Sequence, residues 1–185
     1  MKATGIVRRI DDLGRVVIPK EIRRTMRIRE GDPLEIYTDR EGEVIFKKYS
    51  PIGELAAFAS QYAETLYKTC SLSVVICDRD AVIACAGGPR KDYTDKMLSE
   101  DLERIIEGRS LYVHRADATP IHVLSDGGAF TVRCAMPIIS EGDVIGCVAS
   151  VCDRSAEPHR DAPSDEVESK LIQTAAGFLG RQLEG

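Results

Sequence analysis

Six cations fall within a short stretch near the N-terminus: Arg8, Arg9, Arg15, Lys20, Arg23 and Arg24. An arginine side chain presents a planar fork of N–H donors, which matches a phosphate or a guanine edge at two points. Lysine adds a compact point charge. The chemistry on offer is recognition of a polyanion, provided that the backbone brings these side chains onto one surface. A solvated basic face with no partner is the bland alternative, and the placement of the arginines decides against it.

That placement follows from the elements read around them. Two apolar-alternating runs, Ile6–Ile10 and Arg15–Ile18, flank the turn Asp11-Asp12-Leu13-Gly14 and read as short strands. Pro19 suits the first position of a helix, where its missing N–H is not needed. The helix continues Lys20-Glu21-Ile22-Arg23-Arg24-Thr25-Met26, with Ile22 and Met26 four apart and able to turn inward. Strand, turn and helix thus each supply cations that can converge. Leu34–Tyr37 and Val44–Phe46, separated by the turn Asp39-Arg40-Glu41-Gly42, complete a strand, strand, helix, strand, strand order.

The charge is uneven. The net formal charge is −5. Residues 1–50 nevertheless hold 12 Lys and Arg against 9 Asp and Glu, while residues 51–185 hold 13 against 21. A basic end on an acidic body fits a dedicated polyanion-binding module. Fifty residues bury little core alone, and short strands leave open edges. Both facts favour an obligate homodimer through residues 1–50, which also gives the arginines two-fold symmetry.

Arg8–Asp12, Leu13-Gly14-Arg15 and Val17–Arg23 resemble the AbrB-type DNA-binding domain, the swapped-hairpin fold of bacterial transition-state regulators. The resemblance covers nearly all of residues 1–50. It implies an interleaved β-barrel dimer that binds double-stranded DNA. It places Arg8, Arg15, Arg23 and Arg24 at positions that the family uses on DNA, with Arg9 and Lys20 as supporting phosphate contacts. The whole chain resembles sporulation regulators that join this domain to a C-terminal GAF-like domain. Such regulators look tetrameric, so a homotetramer is expected.

Ser50-Pro51 marks the domain boundary, a helix N-cap followed by proline. Residues 51–70 form a linker or dimerisation helix, with Ile52, Leu55, Ala56, Ala59, Tyr62, Ala63, Leu66, Tyr67 and Cys70 spaced by three and four. Residues 71–185 read as an antiparallel sheet with flanking helices. Ser73–Cys77 and Ala81–Ala86 flank a tight turn, and Gly87–Lys91 is a loop without the frame of a P-loop. Asp95 to Gly108 reads as a helix, and Leu111–His114 as a short strand. Ala129–Ile139 and Val144–Val151 make a long hairpin, and Asp153 to Pro163 a loop. A last helix starts at Ser164 with the stripe Val167, Leu171, Ala175, Phe178 and Leu179. The fold class is α+β. Ala135–Ile138 and Gly142–Val148 resemble the closing hairpin of GAF domains, without the cyclic-nucleotide or chromophore signatures known there, so an effector in residues 71–185 stays unidentified.

No metal, cofactor or catalytic set is called for. Cys70, Cys77, Cys85, Cys134, Cys147 and Cys152 form no C-x-x-C pair, and most lie in apolar runs where a free thiol acts as a small hydrophobe. His114 and His122 could meet across strands to bind a metal, but hydrogen-bonded or surface histidines are the default. His159 stands apart from both. No apolar run is long enough to cross a bilayer and no signal segment opens the chain, which points to the cytoplasm and no membrane partner. Two functions follow: a ligand-responsive transcription regulator of sporulation genes that activates and represses, or an antitoxin sharing the N-terminal fold. Antitoxins usually carry a short disordered tail, whereas about 135 patterned residues follow here, which argues for the regulator.

Overall fold

In a computed structural model the described residues are 5–88, 90–153 and 162–184, with Arg90 described by its backbone alone. Most of the loop expected between Asp153 and Pro163, His159 within it, lies outside them. The chain divides into two compact units, Met1–Tyr49 and Ser50–Gly185.

In the first unit the turn closes as expected. The Asp11 N–H donates to the Arg15 carbonyl at 3.0 Å and the Gly14 N–H to the Asp11 carbonyl at 3.0 Å. Gly14 has φ +76°, which glycine adopts without the Cβ penalty of other residues. The flanks Ile6–Ile10 and Arg15–Ile18, expected as strands, are not strands in the single chain. A strand needs a neighbouring edge for its N–H and C=O groups. The two strands that do form, β1 (Leu34–Thr38) and β2 (Val44–Lys48), pair with each other in an antiparallel hairpin. One chain therefore closes no barrel among its described residues. Helix α1 spans Lys20–Thr25. Pro19 precedes it at the N-cap, one place earlier than expected, and Met26 points outward rather than in. Pro19 is the single buried residue of the described part of this unit. Val7 and Val17 are 84% and 71% exposed, and Ile10, Leu13, Ile36 and Val44 are exposed with them.

The second unit is a six-stranded antiparallel sheet between two helical layers. It opens with α2 (Pro51–Glu54), capped by the Ser50 hydroxyl, which accepts the Gly53 N–H at 3.2 Å. Leu55 interrupts the expected continuous helix, and α3 (Ala56–Cys70) follows. Strands β3 (Val74–Cys77) and β4 (Val82–Ala86) join through a turn in which Asp78 Oδ1 accepts the Asp80 and Ala81 N–H groups. After the helical turn α4 (Arg90–Tyr93), the chain does not enter a helix at Asp95. Asp95 has φ +63°, and Met97 and Leu98 form β-bridges to Ala81 and Leu124. Helix α5 begins later, at Glu100–Glu107, where the Ser99 hydroxyl accepts the Leu102 N–H at 3.1 Å. The same hydroxyl donates to the His122 carbonyl at 2.6 Å. Then come β5 (Tyr112–Val113), an unforeseen β6 (His122–Leu124), the hairpin β7 (Gly127–Ser140) and β8 (Asp143–Asp153), and α6 (Asp165–Gln182).

The sheet order is β4-β3-β8-β7-β5, with β6 also on β7. Strand alternation splits the core. Val74, Ile76, Ala84, Cys134, Ile138 and Val148 face α3 and α6, and Ile52 joins them. Val75, Cys77, Cys85, Ala135, Cys147 and Ala149 face α5, with Leu98, Leu102 and Ile106. Because both faces are covered, β3 is buried at all four positions. Gly180 lets α6 settle on β7: a Cβ there would lie 2.3 Å from the Ile139 carbonyl oxygen. All six thiols are free, and Cys77, Cys85, Cys134 and Cys147 are buried. Burial pushes Cys134 up to about 11. Its hydrogen bond with Cys147, and then burial, raise Cys77 well above the ordinary thiol range. Both stay protonated and unreactive at neutral pH.

Candidate nucleic-acid interface

The six predicted cations are all exposed on the first unit. Arg8 and Arg9 lie on the flank before the turn, Arg15 follows the turn, and Lys20, Arg23 and Arg24 lie on α1. Arg23 and Arg24 fall in the last turn of α1, where cations suit the negative end of the helix dipole. The backbone is fixed around them: the Arg23 N–H donates to the Pro19 carbonyl at 3.0 Å and the Ile28 N–H to the Arg23 carbonyl at 2.8 Å.

Arg15 has a built environment. Its Nε donates to Asp11 Oδ2 at 2.8 Å, and its backbone N–H to Asp11 Oδ1 at 2.8 Å. The Leu13 N–H reaches the same Oδ1 at 3.0 Å. These bonds, the Arg15 N–H first and its guanidinium next, hold the Asp11 carboxyl below the usual carboxylate range. A second anchor in the same unit joins Lys48 Nζ to the Arg27 carbonyl at 2.8 Å and to Asp32 at 3.6 Å. The arrangement offers guanidinium and ammonium donors to an anion.

The second unit holds a polar feature that sequence reading missed. Glu168 is 2% exposed on the core face of α6. Its Oε1 accepts the Ser150 hydroxyl at 2.5 Å, and Oε2 lies 3.0 Å from Arg133 Nη2 as an ion pair. Arg133 also pairs with Asp165 at 2.8 Å. The signal in sequence was only a carboxylate in a first helical turn. His122 pairs with Thr131 on the sheet edge, and His114 Nδ1 lies 3.4 Å from the Tyr112 hydroxyl. Among the described residues no group of three or more His, Cys, Asp or Glu is placed to hold a metal ion. No described helix is long and apolar enough to cross a membrane.

The first unit carries an arginine-bearing turn and helix with a hairpin, and the second is a helix-flanked antiparallel sheet. Over 51 residues the chain is 65% identical to the transition state regulatory protein AbrB of Bacillus subtilis, a stretch that covers 28% of this chain and 52% of that protein. A solved structure, the N-domain of the transcription factor abrB, matches 28% of this chain and 96% of its own at 65% identity and a TM-score of 0.25. Residues 54–184 match the family described as stage V sporulation protein T C-terminal, transcription factor, and residues 7–53 match antidote-toxin recognition MazE, bacterial antitoxin. Stage V sporulation protein T of Bacillus subtilis is 55% identical over 188 residues, 100% of this chain and 99% of that protein. The chain belongs to the stage V sporulation protein T family.

Proposed function

We propose that this chain is a sequence-specific regulator of sporulation genes that binds double-stranded DNA through Arg8, Arg9, Arg15, Lys20, Arg23 and Arg24 of an interleaved dimer. The observation that carries the reading is the state of the first unit: six exposed cations beside apolar side chains that one chain leaves open. Val7, Ile10, Val16 and Val17 lie beside the cations in sequence and are exposed in one chain, so pairing with a second copy would cover apolar surface that one chain leaves open. Family membership supports it, because that family is described as a transcription factor.

Residues 51–185 act as a GAF-like unit that joins dimers into a tetramer and responds to a small effector. The antitoxin alternative is not favoured: the antitoxin-type match ends at residue 53, and a full folded unit of another family follows. The test is substitution at the surface. Arg15→Ala and Arg23→Ala should each weaken DNA binding by about 1–3 kcal/mol if they reach a base edge. Neither should unfold the protein, since exposed charges contribute little to stability. Wild-type affinity in a folded variant removes that residue from the interface.

A further inference from the structure

Asp11 is out of place on charge alone. It is an acid within a basic surface, and next to DNA it would repel phosphate. Its contacts give it another use. One oxygen accepts the backbone N–H groups of Leu13 and Arg15, at 3.0 and 2.8 Å, and the other accepts Arg15 Nε at 2.8 Å. A second tie runs from the Asp11 N–H to the Arg15 carbonyl at 3.0 Å. The carboxylate therefore grips both the backbone and the side chain of one arginine.

The edge it grips matters. A guanidinium has five N–H donors, one on Nε and four on the two Nη groups. Binding at Nε leaves the Nη groups for another partner and fixes the plane in which they lie. A long side chain held in one rotamer loses less entropy when it binds. We propose that Asp11 is a positioning residue for DNA recognition: it fixes the turn and aims the Nη edge of Arg15 outward. The proposal rests on the reading that Arg15 contacts DNA. The lowered carboxyl of Asp11 fits the charged form this role needs.

Charge and positioning predict opposite signs. Neutralising an acid beside phosphates should tighten binding if charge alone acts. Loss of positioning should weaken it. Asp11→Asn is the discriminating variant, because its amide oxygen can still accept the turn's N–H groups while the charge facing Nε is gone. The experiment measures affinity of the full chain, at physiological salt, for a duplex that the wild-type chain selects from a random pool. Asp11→Asn, Arg15→Ala and the double variant are compared. Asp11→Asn should bind about two- to fivefold more weakly, as an exposed pair allows. Arg15→Ala should bind about 5–150-fold more weakly. In the Arg15→Ala background Asp11→Asn should cause no further loss, since the group it positions is absent.

Asp11→Asn binding as tightly as wild type or tighter, with Arg15→Ala weakened, overturns the positioning role and leaves the interface reading intact. An equal loss from Asp11→Asn in both backgrounds overturns it as well, because the effect would not pass through Arg15. Wild-type binding by Arg15→Ala defeats the interface reading at that residue and the proposal with it. A nitrogen-15 spectrum of the wild-type chain covers the case in which Asp11→Asn does not fold. The Arg15 Nε–H signal should stand apart from those of free arginines, and a free-arginine position would overturn the proposal.

Discussion

Tyr62 of α3 and Phe178 of α6 stack with ring centroids 5.6 Å apart and 17° between their planes. Phe58 lies 6.0 Å from Phe178 on the same side. Two helices thus present one aromatic patch. Phe178 remains 41% exposed and Val167, earlier on α6, 49%. The stripe expected on α6 divides: Ala175 and Leu179 enter the core with Ile172, while Val167 and Phe178 look outward.

The exposed ring of Phe178 suits contact with a second copy of the chain, since fully burying an exposed large apolar side chain is worth about 1.5–3 kcal/mol. Phe178→Glu should leave the fold intact and reduce a tetramer to dimers in light scattering at micromolar concentration. A tetramer that persists unchanged removes this patch from the assembly surface.

The buried acid gives a stability prediction. Glu168→Ala should destabilise the second unit by about 1–3 kcal/mol, because it removes an acceptor of the Ser150 hydroxyl and a partner of Arg133 and opens a void, while Arg133 keeps Asp165 and Ser150 keeps the Cys134 backbone. Glu168→Gln should cost less, since its side-chain oxygen can still accept from Ser150. Denaturant titration of the full chain, following the second unit, reads both. Equal midpoints for wild type and Glu168→Ala would contradict the role given to this network.

Sensing and assembly separate in a chimera. Ile52 is fully buried in the second unit, so the join belongs between Tyr49 and Ser50. Replacing everything after Tyr49 with a foreign tetramerising coiled coil should keep DNA binding through effective concentration. Regulation in cells should be lost, because the foreign coil cannot favour one arrangement on binding an effector. Full regulation by the chimera would leave assembly as the whole role of residues 51–185.

Much of this was written in local pattern. The cations around Asp11–Gly14 were legible because a turn and a helix start are short-range signals. The β3–β4 and β7–β8 hairpins were legible from apolar runs broken by turn residues. Residues 95–98 misled because Met97 and Leu98 imitate helical spacing, although Ser99-Glu100-Asp101 carries the later cap. Strand β6 has three residues, too few to show alternation. Ile6–Ile10 and Arg15–Ile18 have strand pattern without strand structure, since pattern specifies a pairing surface and not which chain supplies the partner. Glu168 is hidden in sequence because it lies on α6 while its partners, Arg133 and Ser150, lie on β7 and β8.

The first unit, doubled, should bind DNA by its cations. Binding of the full chain to duplex DNA should be titrated from low to physiological salt. With Arg8, Arg15, Arg23 and Arg24 from both protomers making roughly 6–8 phosphate contacts, log affinity against log salt should fall with a slope of about −5 to −7. A slope near zero would contradict the claim.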